Sequence, residues 1–451
     1  MVVTRPATGE SPVRSSGAEP ETGQIVDTLT DGRGVVRSPG KTVFVRGAIT
    51  GETVKFVRRK KKRNYDEAEL LEILAAVPER VEPLCESFGN CGGCSLQHIS
   101  SAQQIVLKQS VLLESLQRIG SVKPFRVLPP IVGDAWAYRR KARLAVKYVP
   151  KKGRVLVGFR ERDKPFVADM RRCETLHPLI GESIAVLSEL IGGLSIRERI
   201  PQIEAAVGDN GVAMIFRVLE PPSTDDLERF AGFQRNEGVQ VYLQTKGPES
   251  IIPLPGQPAG DGLFYAIPGF NVSIHFTPTD FMQIHAGVNS QMIDQAVSLL
   301  APNSDSRVLD LYCGLGNFTL PMATRSKEVI GVDFAPDMLA RARNNALRSG
   351  IDNASFWQAD LSRSLEVAAL AWEGFDLVVL DPPRTGALEM IEVLGKIRAR
   401  RVLYVSCHPG SLARDANSLV HQLGYELTAA GIMDMFPQTS HVESMALFEL
   451  P

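Results

Sequence analysis

Asp310-Leu-Tyr-Cys-Gly-Leu-Gly-Asn-Phe318 reads as a strand, a glycine turn and the start of a helix. Glycines in such a turn let the backbone approach a ligand, and a helix N-terminus offers N–H groups without partners. Thr319 stands where a third glycine would complete a dinucleotide fingerprint, so Gly314 and Gly316 alone are a weak signal. The next apolar run ends in Asp333, where a carboxylate can accept the hydroxyl protons of an adenosine ribose. Asp360 closes the third run and Asp381-Pro-Pro the fourth, and together these acids make the signal strong.

This constellation resembles the class I S-adenosylmethionine-dependent methyltransferases; a nucleotide-binding dehydrogenase is the competing reading. Cys407 ends the fifth apolar run, in Tyr-Val-Ser-Cys-His-Pro-Gly. A thiol among apolar residues is usually a buried structural group, but a place at the catalytic edge of the sheet fits a nucleophile. Glu443 precedes the apolar segment Met-Ala-Leu-Phe-Glu-Leu. Alone it would be a solvated strand-end residue; beside a thiol and a methyl donor it is a candidate base.

Cys85, Cys91 and Cys94 cluster at short spacing, and Cys173 follows after a long interval. Four thiolates can hold a tetrahedral zinc or an iron–sulfur cluster, and the spacing does not choose between them. Two runs are strongly cationic. Lys55, Arg58, Arg59, Lys60, Lys61, Lys62 and Arg63 fall in one predicted hairpin without an acid. Tyr138 to Arg154, which includes Arg139, Arg140 and Lys141, alternates apolar and polar positions like a half-buried strand with a basic outer face. Both fit contacts to RNA phosphates, although a charge run is often only a solvated surface.

The elements that must position these groups fall into three parts. Residues 23–78 show short alternating runs between turn signals at Asp31-Gly32, Pro39-Gly40 and Thr50-Gly51. Five such strands suggest a small OB-type β-barrel. A central α+β region covers 79–100 and 127–272. From Ser306, strands alternate with helices, the rhythm of a doubly wound α/β sheet with ligands beyond the strand C-termini. Residues 1–22, rich in Ser, Pro, Gly and Glu, read as a disordered leader.

The chain has 451 residues, 44% of them hydrophobic and 22% charged, enough to bury more than one core. Fifty Lys and Arg against 51 Asp and Glu exclude a uniformly basic coat but not local patches. Six cysteines are too few for a disulfide scaffold, and no run is long and apolar enough for a membrane helix. With no signal-peptide core at the N-terminus, the cytoplasm is the expected address.

Phe276-Thr-Pro-Thr-Asp-Phe-Met-Gln283, Asp310 to Phe318, Asp381-Pro-Pro-Arg-Thr-Gly386, Ser406-Cys-His-Pro409 and Phe436 to Met445 together resemble the RNA uracil-5-methyltransferases. The likeness is nearest to the bacterial 23S rRNA branch. It implies that the barrel is a TRAM domain and that a [4Fe-4S] cluster sits on Cys85, Cys91, Cys94 and Cys173. Gln283, Tyr312, Gly314, Asn317, Asp333 and Asp381 are implied donor contacts, with Asp360 on the adenine side. The catalytic domain is then 101–126 with 273–451, so that the helix from Ser101 to Ile119 packs on it despite its early position.

The chemistry implied is addition of Cys407 to C6 of a uracil, methyl transfer to C5, and removal of the C5 proton by Glu443. His408 departs from the Asn that commonly follows the nucleophile, which bears on the acceptor more than on the reaction. RNA is the expected partner, 23S rRNA ahead of tRNA, for a monomer with no obligate protein partner. The rivals are 5-methyluridine formation in tRNA, an RNA-binding iron–sulfur protein that has lost catalysis, and a small-molecule methyltransferase.

Overall fold

The computed structural model describes residues 19–38, 40–256, 262–363 and 374–451. Glu21–Gln24, Asp27–Thr28, Arg33–Ser38, Lys41–Arg46, Thr53–Lys61 and Tyr65–Ala75 form one six-stranded sheet. Alternation along these strands turns Val43, Val45, Val54 and Phe56 into a small closed core with Ile25, Val36 and Ala68. The sixth strand, beyond the five expected, is Asp27–Thr28, too short for alternation to register.

The leader expected over 1–22 needs correction at its end. Residues 1–18 lie outside the described part, but Glu21 and Thr22 already pair with Phe56 and Lys55 in the sheet. Composition marks that stretch as polar; an open strand edge and the Arg58 guanidinium, 2.7 Å from the Glu21 carboxylate, give it partners. This compact unit ends at Glu82, with residues 98–100 added.

Residues 83–97 and 101–451 form a second compact unit. It contains a largely antiparallel sheet in the order Ile251–Pro253, Val239–Gln244, Gly211–Arg217, Gln202–Gly208, Lys141–Val149, Arg154–Gly158. Ala142, Leu144 and Val146 are buried, so the basic strand has the half-buried alternation its sequence suggests. Ile184–Gly192 and Thr224–Glu237 cover its inner face with Leu187, Ile191, Phe230 and Phe233.

The larger sheet carries the site. Its order is Ala354–Gln358, Glu328–Asp333, Arg307–Leu311, Leu377–Leu380, Arg401–Ser406, Glu443–Glu449, Glu426–Met433 and Arg126–Val127. The first five strands are parallel, and Glu443–Glu449 runs antiparallel to its two neighbours. The order reverses between Arg307–Leu311 and Leu377–Leu380, which opens a crevice at their C-terminal ends. Both faces are covered, as a parallel sheet requires. Val308, Val379 and Leu403 enter one core, and Leu309, Leu311, Val378, Leu380 and Val402 the other. Helix Ser101–Arg118 joins the second core through Leu112 and Leu116, next to Leu412 and Leu419. Among the described residues no helix is long and apolar enough to cross a membrane.

Candidate active site

The glycine turn leaves strand Arg307–Leu311 at the crevice. Tyr312, Gly314 and Gly316 all have positive φ, at 67°, 54° and 91°, which curls the backbone into an open cradle. Asp333 fastens this turn: its carboxylate accepts the Gly314 N–H at 3.0 Å and the Ala335 N–H at 3.0 Å. Asn317 accepts the Tyr265 hydroxyl at 2.9 Å and exchanges amide hydrogen bonds with Asn289 at 2.9 and 3.1 Å. Beneath the turn Asp310 is fully buried, accepting Thr319 Oγ1 at 2.5 Å while its Oδ1 has no partner. Burial pushes its carboxyl up to about 7, with Asp381 and Asp333 adding to the effect. Asp360 is held in its own turn by Ser362 N–H at 3.0 Å and Ser362 Oγ at 2.6 Å. Gln283 is half-buried.

Cys407 directly follows strand Arg401–Ser406, and Glu443 opens Glu443–Glu449. Ser406 pairs with Ser444 in this antiparallel ladder, so the next step of the register sets Cys407 opposite Glu443. Asp381 stands at the end of Leu377–Leu380, on the other side of Arg401–Ser406. The three groups are close enough to influence one another's charge. Burial pushes the Cys407 thiol up to about 11, with the charges of Glu443 and Asp381 contributing. Burial pushes Glu443 up to about 8, again with Asp381 contributing, and Asp381 up to about 7. Arg384 opposes these shifts at both the thiol and Glu443.

His408 departs from the common Asn, and its surroundings account for that. Its Nδ1 accepts the Ser411 N–H at 3.1 Å, capping helix Pro409–His421. Asn is a favoured N-cap for the same reason, so the exchange keeps the acceptor that fixes the turn after Cys407.

Residues 266–450 match the family model described as tRNA (Uracil-5-)-methyltransferase. A relative from Alkalilimnicola ehrlichii, a 23S rRNA (uracil(1939)-C(5))-methyltransferase, is 52% identical over 93% of this chain and 94% of its own. One of the same description from Methylococcus capsulatus is 48% identical over 96% and 97%. The chain belongs to the RNA uracil-5-methyltransferases. Its fold is also that of the Pyrococcus abyssi tRNA (uracil-54, C5)-methyltransferase solved with S-adenosyl-L-homocysteine. That structure has a TM-score of 0.72 and 22% identity, covering 95% of this chain and 100% of the other.

This uracil-5-methyltransferase has a second group of cysteines, whose cavity is also lined by Thr439 of the loop that leads into Glu443. Cys85, Cys91, Cys94 and Cys173 line a single cavity with Tyr138, Phe159 and Met170. Burial raises the Cys85 thiol, and pushes Cys91 up to about 11 and Cys94 up to about 12. Among the described residues no three His, Cys, Asp or Glu side chains are arranged to hold one ion. A zinc site needs its sulfurs about 2.3 Å from a common centre, whereas a four-iron cluster binds each thiolate through a different iron.

The cations predicted to meet RNA divide sharply. Arg58 is consumed within the barrel by Glu21 at 2.7 Å, Asp66 at 2.8 Å and Ser38 at 3.1 Å. Arg59 pairs with Glu69 at 2.6 Å, and Lys60 lies 3.5 Å from Glu67. Lys61, Lys62 and Arg63 at the hairpin tip are exposed. In the central sheet Arg139 donates to the Lys141 carbonyl at 2.9 Å, Arg140 pairs with Asp209 at 2.5 Å, and Lys141 donates to the Asp280 carbonyl. Those three knit the protein together.

Sequence reasoning missed Arg384, Asp310 and the buried pair Lys108–Asp434, 2.6 Å apart. Arg384 lay inside a motif already noticed, next to Asp381. Lys108 carried a signal too, because a lysine occupies the stripe Gln104, Lys108, Leu112, Leu116 that the helix buries.

Proposed function

We propose that this protein methylates C5 of a uridine in 23S rRNA through a covalent adduct between Cys407 and C6. The supporting observation is the placement of Cys407 opposite Glu443, with Asp381 beside both. Uracil C5 is a poor nucleophile. Addition of the Cys407 thiolate to C6 places the electron pair on an enolate whose C5 attacks an electrophilic methyl group. S-adenosylmethionine supplies that methyl group and leaves as the thioether. Glu443 then takes the C5 proton, the C5–C6 double bond re-forms and the thiolate departs.

Tyr312, Gly314, Asn317 and Asp333 would cradle the donor, with Gln283, Asp360 and Asp381 completing its contacts. The target base must leave its stack to reach the crevice, so the substrate presents a loop or an opened helix. Both curated relatives named above are described as acting on uracil 1939 of 23S rRNA, which favours that substrate over tRNA. Such a substrate makes the cytoplasm the place of action.

Incubation of unmodified 23S rRNA and bulk tRNA with labelled donor, followed by mass spectrometric mapping, tests the reading. One new 5-methyluridine in 23S rRNA is the expected result; label confined to tRNA would replace the substrate assignment.

Lys61, Lys62 and Arg63 are the cations best placed to bind phosphates. Replacing all three with Gln should lower the magnitude of the salt slope of RNA binding by about 2, since each released contact contributes roughly 0.7–0.9. The check is a fluorescence anisotropy series across salt concentrations; an unchanged slope removes the hairpin from the interface.

Cys85, Cys91, Cys94 and Cys173 would hold a [4Fe-4S] cluster, whose role is to order the segment around them. Anaerobically purified protein should contain iron and acid-labile sulfide in equal amounts and absorb visible light. A colourless zinc protein would rule the cluster out.

A further inference from the structure

Helix Ser101–Arg118 buries one stripe, and that stripe changes character half-way. Leu112 and Leu116 enter the apolar core, but Lys108 and Gln104, one and two turns earlier, are polar and 1% exposed each. Both reach the loop that leads to Glu443. Lys108 Nζ donates to Asp434 Oδ1 at 2.6 Å and to the Phe436 carbonyl at 3.0 Å. Gln104 donates to Gln438 Oε1 at 2.9 Å and accepts the Gln438 N–H at 3.0 Å.

Gln438 has φ +68°, a left-handed conformation that a residue with a side chain adopts at a cost, so its partners must hold it there. Its carbonyl accepts the Ser95 and Leu96 N–H groups at 2.9 and 3.1 Å, and Tyr138 donates to the Pro437 carbonyl at 2.9 Å. The loop is thus fastened on three sides. A core helix could have achieved this with neutral groups. A buried ammonium is costly unless it is paired, and Asp434 in this loop pairs it.

We infer that Lys108, paired with Asp434, is a positioning residue for the proton-removal step, holding the Asp434–Gln438 loop that leads into Glu443. This rests on the reading of Glu443 as the base. The charged and titratable groups around Glu443 are Asp381 and Arg384 from the loop after Leu377–Leu380, Cys407 just beyond the adjacent strand, Lys108 from the helix, and Asp434 and His441 from the loop itself. Asp381 disfavours the carboxylate, while Arg384 and Lys108 favour it. Arg384 is exposed and Lys108 is buried, where Asp434 offsets its charge and ties it to the loop.

The test separates adduct formation from adduct release. Denaturant-stable protein–RNA adduct is followed through a single turnover on an unmodified 23S rRNA transcript, across a range of pH. The main variant is Lys108→Met combined with Asp434→Asn, so that no lone buried carboxylate remains; thermal unfolding checks that it folds. The expected result is formation at the wild-type rate and release slowed about tenfold, with the pH profile of release unmoved because one ammonium and one carboxylate are removed together. Release at the wild-type rate, or formation and release slowed together, would overturn the assignment. Glu443→Gln serves as the reference and should abolish the pH dependence of release. If it does not, the base assignment falls and the role of Lys108 with it. If it does while the double variant releases at the wild-type rate, only Lys108 falls.

Discussion

Cys407→Ala should abolish both methyl transfer to RNA and the denaturant-stable adduct. Without addition at C6 no electron pair reaches C5, and removal of a nucleophile that splits a reaction into two steps costs on the order of 10^4- to 10^6-fold. Structural damage should be small, because Cys407 lies beyond the last ladder pair and is only half-buried. Donor binding should therefore persist, since the glycine turn and Asp333 are anchored to one another on different strands. The decisive measurement is incorporation of labelled methyl into 23S rRNA under single-turnover conditions. Retention of even a tenth of the wild-type rate would exclude the covalent route.

Glu443→Gln should have the opposite signature: the adduct forms, the methyl group is transferred, and the product stays bound to the protein. Turnover should fall by about 10^2- to 10^4-fold, the usual contribution of a positioned base. The amide is close in size to the carboxylate and cannot take the C5 proton. In the wild type the sign of the pH dependence follows from burial, which pushes Glu443 up to about 8. Below that value the protonated acid cannot act as base, so release should quicken as pH rises toward 8 and level off above it. A gel assay for protein-linked RNA reports this directly. Rapid release from the Gln variant would transfer the base role to another group.

Much of this site is legible in the sequence. Cys407, Asp381 and Asp333 each close an apolar run, and a doubly wound sheet puts run ends at one edge. Their roles needed the family likeness as well, because a strand-end position does not name a chemistry. What escaped the sequence reading depends on long-range pairing. Arg58 looks like a phosphate ligand among its neighbours, and only the fold brings Glu21 and Asp66 to it. Lys108 and Asp434 are 326 positions apart, and no local period could join them. Periodicity reports which face is buried; it does not report what waits on the other side of the contact.

The cap formed by His408 has a consequence for how such chains are recognised. The turn after Cys407 needs a side-chain atom able to accept the Ser411 N–H, and an imidazole nitrogen satisfies it. What the turn requires is therefore a lone pair rather than one amino acid. A search pattern that insists on Asn after this cysteine would discard this chain, while one written as Cys followed by any N-cap acceptor and Pro would retain it.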